Sequence, residues 1–256
     1  MKKIFYFIII SLIILSCNER YKEYYSSGEL KLICDEKRDT IYIGECLKLS
    51  PTGDTIFLKK FSNAGLLHGE TKFYDSLGNL SEIFNYNSGL ADGLYKSFYD
   101  NGSIKERGQY RNHNPYGIFI SYDSSGNIIL KKEYFIYEEE SKVNQYWNYS
   151  DNTIDLVKSN FIVIDHLKDS IYIELQPLFK GTATVHIFDE NMEKSNTFKM
   201  KDYFVKIPIS GNTRSNNYIG YVEETKENTF EDKIEIRARR IYFNLNSDGT
   251  REFTIP

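Results

Sequence analysis

Two kinds of patterning divide the chain. Between about residues 66 and 134, short aromatic and apolar runs alternate with polar residues and are broken by Gly, Asn and Asp at regular steps. Alternation with a period of two marks strands with one buried face, and breaks such as Asp100-Asn101-Gly102 mark hairpin turns. Gly78, Gly102 and Gly126 follow one another at 24-residue intervals, and Gly69, Gly93 and Gly117 form a second series with the same step. Each unit holds an aromatic strand, a Tyr-Asp pair led by Tyr74, Tyr99 or Tyr122, a glycine turn and a return strand. Gly53 and Gly28 extend the series backwards at steps of 25, with Tyr24-Tyr25-Ser26-Ser27-Gly28 as a worn copy. A hairpin with one aromatic face cannot bury it alone, so neighbouring hairpins must stack. The pattern predicts an antiparallel meander over residues 24–136.

After Phe135 the period stops. The charged run Glu138-Glu139-Glu140-Ser141-Lys142 predicts a solvated linker over 137–145. From 146 to 256, β-rich runs return without the repeat: Phe161 to Ile164, Ile171 to Leu175, Thr182 to Phe188, Val205 to Ile209, Tyr218 to Glu223, Ile234 to Ala238 and Ile241 to Leu245. They are separated at Gly181, Gly211-Asn212 and Ser247-Asp248-Gly249. Seven or eight short strands in about 110 residues have the rhythm of an Ig-like β-sandwich. The fold class expected for the whole chain is therefore all-β.

The first residues follow another logic. Lys2 and Lys3 precede Ile4 to Leu15, a run that is apolar except for Ser11. It is shorter than the roughly 20 apolar residues a bilayer span needs, and it reads as a signal-peptide core over 1–16. It ends in Ile14-Leu15-Ser16-Cys17, then turns polar at Asn18-Glu19-Arg20. These four residues resemble the lipobox of bacterial lipoproteins, although a small residue is more usual where Leu15 stands. The resemblance implies lipid on Cys17, a short tether over 17–23, and a membrane address. Asn18 rather than Asp after the cysteine leans towards the outer membrane over the inner one.

Composition sharpens this picture. With 21 Tyr and 17 Phe the chain is 15% aromatic, a bias that suits pleated, half-buried surfaces. The net charge is −4, and loss of Lys2 and Lys3 with the leader leaves 30 basic against 36 acidic residues. That balance gives no electrostatic reason to expect nucleic acid as a partner, and the short basic runs Lys59-Lys60 and Arg237 to Arg240 lie inside strands. Cys34 and Cys46 stay open as a pair. An exported chain meets oxidising conditions, but a turn at Asp35 to Asp39 would set Cys34 opposite Ile41 rather than Cys46.

The repeat unit itself, clearest in Asn87-Ser88-Gly89-Leu90-Ala91-Asp92-Gly93-Leu94-Tyr95-Lys96-Ser97-Phe98-Tyr99-Asp100-Asn101-Gly102, resembles the MORN repeat variant of bacterial exported proteins, an antitoxin-like family. The resemblance is good over 66–134, weak over 24–61 and absent beyond. Tyr95 stands where the family often has Trp. His113 replaces the turn glycine seen at Gly65 and Gly89, which suggests a relaxed last turn. The family implies an elongated meander with an interaction role and brings no catalytic residues.

No nucleophile elbow, phosphate loop, Cys-x-x-Cys pair or His-Glu-x-x-His motif is present. His68, His113, His166 and His186 are scattered without metal-ligand spacing. The turns from Asp75 and Asp123 lack the alternating carboxylates of a calcium loop and read as hairpin caps. No catalytic residue, cofactor or metal is expected. Tyr74, Tyr99 and Tyr122 are the candidate binding surface, and a protein or glycan is the expected partner. The leading reading is a non-catalytic, membrane-anchored interaction module of the cell envelope. An antitoxin or immunity protein and an envelope enzyme are the alternatives.

Overall fold

The computed structural model describes residues 19–167, 170–179, 181–188, 195–208, 218–230 and 233–245. Cys17 and the apolar leader lie outside these residues, as do the breaks expected at Gly211-Asn212 and Ser247 to Gly249. The described chain is all-β, with one short 3-10 turn at Leu156–Lys158 capped by the Asp155 carboxylate. Twelve strands form one antiparallel meander in which each strand pairs with its sequence neighbours. They are β1 (Tyr21–Tyr24), β2 (Leu30–Arg38), β3 (Ile41–Leu49), β4 (Thr55–Phe61), β5 (Gly69–Tyr74) and β6 (Leu80–Asn87). Then come β7 (Leu90–Phe98), β8 (Ile104–Arg111), β9 (Asn114–Tyr122), β10 (Ile128–Tyr137), β11 (Glu140–Ser150) and β12 (Thr153–Ile154).

Two turn chemistries close most of the hairpins of this sheet. On one edge, the amide of Gly78 donates to the Asp75 carbonyl and the amide of Asp75 donates to the Asn79 carbonyl. The same pair of bonds closes the turns at Gly28, Gly53, Gly102 and Gly126, so the worn copies have the geometry of the clear ones. Asp75 and Asp123 cap their turns: each carboxylate accepts two backbone amides and the side-chain amide of Asn79 or Asn127. These bonds hold both carboxyls below their usual range.

On the other edge, three hairpins close through tight turns with positive φ at both central residues, Ser88-Gly89, Asn112-His113 and Glu138-Glu139, whereas the turn at Gly65 uses the bond pair of the first edge. Two expectations change here. His113 does not relax its turn; it takes φ 69° as the missing glycine would, and its Nδ1 accepts the Ala91 amide. Nor is it the last turn. Residues 137–145 are not a linker, because Glu138-Glu139 closes one more hairpin and Glu140–Ser150 pairs along β10. Glutamate is an unusual residue in a left-handed position, so its charge outweighed any turn signal in the sequence.

The hairpin of β2 and β3 settles the cysteines. Its turn lies at Asp39-Thr40 rather than across Asp35 to Asp39, so Arg38 faces Ile41. One extra residue then bulges on β3, where Gly44 and Glu45 together oppose Asp35, and Cys34 comes opposite Cys46. The two form a disulfide with Cα atoms 4.1 Å apart. Gly44 makes the bulge possible: it has φ 73°, and a Cβ there would run into the Asp35 side chain, whose carboxylate accepts the Glu45 amide.

The remaining strands form two further sheets. One joins β13 (Phe161–Leu167), β14 (Ser170–Gln176) and β17 (Phe204–Pro208). The other joins β16 (Ser195–Lys199), β15 (Thr182–Phe188), β18 (Tyr218–Phe230) and β19 (Lys233–Leu245) in that order. Alternating residues of both sheets meet in one aliphatic core, with Ile171 and Ile173 from β14 against Val185, Val222 and Ile241. The runs expected at 234–238 and 241–245 are one continuous strand, and β16 was not anticipated.

A polar seam joins the two parts. The Asn144 side chain donates to the Tyr242 carbonyl and accepts the Tyr242 amide, both at 2.8 Å, as a neighbouring strand would. Its amide also donates to the buried Glu133 carboxylate, as does that of Gln145. Phe161 stacks on Trp147 and Tyr242 packs on Phe135.

Candidate interaction surface

Strand alternation gives the meander two different faces. One is aromatic. Phe84, Tyr95, Tyr110, Phe119 and Tyr134 run across β6 to β10 with neighbouring ring centroids 4.7 to 5.7 Å apart. Glycine makes the close packing possible: a Cβ on Gly108 would lie 2.6 Å from the Phe119 ring. Desolvation among these rings pushes the Tyr95 phenol up to about 12 and raises Tyr110 and Tyr134 as well.

Beside the rings, one cross-strand row reads Glu82, Ser97, Glu106, Ser121. Ser121 donates to Glu106 at 2.9 Å and the Tyr95 hydroxyl donates to Glu82 at 3.2 Å. Acids there are spaced by hydroxyls, and together they border a pocket of about 290 Å³. Nearer the amino end, Lys48 and Lys59 stand over the Phe57 ring at 5.6 and 4.3 Å beside the disulfide. Burial and the neighbouring Lys48 charge lower the Lys59 pKa.

The opposite face is cationic and aliphatic. One cross-strand row runs Lys72, Ile83, Lys96, Arg107, Ile120, Lys131, each residue directly opposite the next. Not one of the six is buried. Leu94, Lys96, Arg107, Gln109, Ile118 and Ile120 border a shallow groove of about 340 Å³, in which Leu94 keeps 63% of its surface exposed. The row ends at Trp147, opposite Lys131, where the carboxy-terminal part begins to cover this face.

The three tyrosines read from the sequence do not share one platform. Tyr74 and Tyr122 stand four residues before their turn glycines, Tyr99 only three, so the Tyr-Asp pairs are not structurally equivalent. All three are half-buried. The Tyr99 hydroxyl donates to the Tyr122 carbonyl at 2.7 Å, fastening one turn to the next, and both residues border the acidic pocket. Tyr122 also lies under the Arg107 guanidinium at 5.7 Å. Tyr74 does not line that pocket. What sequence reasoning missed is the cationic row. Its alternation was visible in Leu94-x-Lys96-x-Phe98 and Lys105-x-Arg107-x-Gln109, but assembling it needs the position of every turn and bulge.

Among the described residues, no group of three or more His, Cys, Asp or Glu is placed to hold a metal ion. His68 and His113 sit at exposed turns, and His186 stacks on Tyr221 with centroids 4.6 Å apart. The His166 side chain is outside the described set.

Comparison with protein families agrees with the central hairpins. Residues 67–88 and 91–112 match the MORN repeat variant. The two matched MORN-variant units span β5 to β8, and each ends at the tight turn that closes its return strand. The hydrogen-bonding of the turns extends the same architecture to Gly28 on one side and Gly126 on the other. No curated protein matches the chain.

Proposed function

We propose that the protein is a lipid-anchored interaction module of the cell envelope, at the outer membrane in preference to the inner, and that it works by binding rather than by catalysis. The observation that carries this reading is the single-layer meander. A sheet normally buries at least one face under a second layer, yet between β5 and β9 both faces of this one carry half-exposed apolar, aromatic and charged side chains. Exposed apolar surface rimmed by polar residues marks interaction sites, and the MORN-variant units are the centre of this one.

Cys17 is the anchoring residue in this account. It follows an apolar leader, and the Cys34–Cys46 disulfide suits an oxidising compartment. Two or more acyl chains there would hold the protein stably. The first strand begins at Tyr21, so a tether of four residues reaches about 14 Å at most and keeps the sheet near the membrane surface. The two carboxy-terminal sheets we take to be an Ig-like sandwich that braces the end of the meander through Asn144. Expected partners are a protein or a glycan, with no nucleic acid. Mass spectrometry of the mature amino terminus tests the anchor: acylated Cys17 is expected, and an unmodified terminus, or a Cys17→Ala chain still bound to envelopes, would overturn it.

A further inference from the structure

The cationic face carries an arrangement that folding alone does not favour. Lys96 and Arg107 lie directly opposite each other on neighbouring strands, and like charges at that position destabilise a sheet. Among the described residues neither forms an ion pair, and neither does Lys131 further along the same row, whereas Lys72 at its start is paired with Glu70. The reverse face treats its own charges differently, since a serine separates Glu82 from Glu106. Three cations without a carboxylate partner among the described residues, Arg107 and Lys131 lying over the Tyr122 and Tyr149 rings, are therefore held within about 15 Å at a rung spacing of about 4.8 Å. Ile83 and Ile120 sit between them, and Leu94 and Ile118 beside them.

We propose that this face, across β6 to β10, binds an acidic amphipathic helix of a partner protein, with carboxylates on Lys96, Arg107 and Lys131 and apolar side chains in the groove lined by Leu94, Ile118 and Ile120. The inference rests on the interaction-module reading and names the face and the partner chemistry. Three features select a helix. First, a helix is one of the layers that cover an open sheet face, and among the described residues no helix lies on this one. Second, lying across the strands, it presents acidic side chains three residues apart at about 4.5 Å and seven apart at about 10.5 Å. Those spacings match one rung from Lys96 to Arg107 and two rungs from Arg107 to Lys131. Third, the aliphatic residues between the cations ask for apolar groups that a sulfated glycan or a nucleic acid does not offer. A flat membrane fits less well, because the carboxy-terminal part rises from the same face at Trp147 and Phe135 and makes a corner beside Lys131.

The test uses the full mature chain in detergent and a synthetic peptide of about 20 residues with Glu and Leu at amphipathic helical spacing. Heparin and phosphatidylglycerol vesicles are run in parallel. The peptide is expected to bind, to weaken as salt rises, and to bind on the order of ten- to a hundredfold less to the Lys96→Gln/Arg107→Gln/Lys131→Gln chain. Those neutral substitutions remove like-charge repulsion, so an unchanged or raised Tm shows that the variant is folded. Ile120→Ala should cost a few-fold, and a peptide with Lys in place of Glu should not bind. Equal binding to the triple variant would overturn the proposal, as would capture of heparin or vesicles with no binding of the peptide. Loss of binding in Glu82→Gln/Glu106→Gln instead would move the site to the reverse face, ending this inference while leaving the meander as the interaction module.

Discussion

The meander and the carboxy-terminal sheets solve the same problem in opposite ways. Both are built from alternating strands, but the carboxy-terminal sheets turn their apolar faces towards each other and reduce Ile171, Ile173 and Val185 to zero exposure. Among the described residues of β1 to β10, only Cys34, Cys46 and Thr71 reach 1% or less. One part is therefore held by a shared aliphatic core, the other by rung-to-rung contacts between neighbouring strands, reinforced near its start by a disulfide. Cross-strand pairs contribute roughly 0.2–1 kcal/mol each, so the meander gains stability by length and by aromatic stacking, and it keeps both faces available. Surface that a core would consume stays accessible, as the proposed binding role requires.

Equivalent deletions in the two parts should break this symmetry most visibly. Ile173→Ala removes a side chain with no exposed surface and is expected to cost about 2–5 kcal/mol in chemical denaturation. Ile120→Ala on the open face should cost under about 1 kcal/mol. Equal losses would mean that the meander has a core of its own. Reduction of Cys34–Cys46, which closes a loop with a sequence separation of 12, should cost about 2–3 kcal/mol. The loss should fall on β1 to β4, so hydrogen exchange there should accelerate with reductant while β13 to β19 stay protected.

Alkali should separate the parts again. Tyr95 ionises near 10 when unfolded but only near about 12 in the fold, because its ring is desolvated. The folded state therefore holds the proton longer, and its stabilisation is complete below pH 10 and lost as pH rises towards 12. Tyr110 and Tyr134 shift in the same direction, so the meander should loosen first in a pH titration followed by tyrosine absorbance. The smallest effect concerns a turn. Glu139 holds φ 63°, and Glu139→Gly should raise stability by about 0.5–1 kcal/mol, since the left-handed cost exceeds the added freedom of the unfolded chain. A fall in Tm would show that the glutamate side chain has a role of its own there.

The legible and illegible parts of this molecule divide along physical lines. The glycine series exposed the turns, because positive φ leaves a mark in residue type, and the strands between them followed. Where Asn112-His113 and Glu138-Glu139 take the same conformation without glycine, the mark is missing, and the charged run at Glu138 to Lys142 looks like a linker. Cys34 and Cys46 could not be paired by counting, because a single bulge at Gly44-Glu45, opposite Asp35, shifts the register by one residue. The surface needed most from structure. Tyr74, Tyr99 and Tyr122 look equivalent in the sequence, yet a one-residue offset before the turn sends them to different roles. The row through Lys96, Arg107 and Lys131 exists only once five registers are known together.

The most direct test of an open sheet face as the working surface is site-specific photo-crosslinking in intact cells. A photoreactive residue placed at Leu94 or Ile120 should yield a discrete crosslinked species, while the same residue at Val163, 44% exposed on the carboxy-terminal part, should yield none. A crosslink from Val163 with silence at Leu94 and Ile120 would place binding on the other half of the molecule and contradict the account.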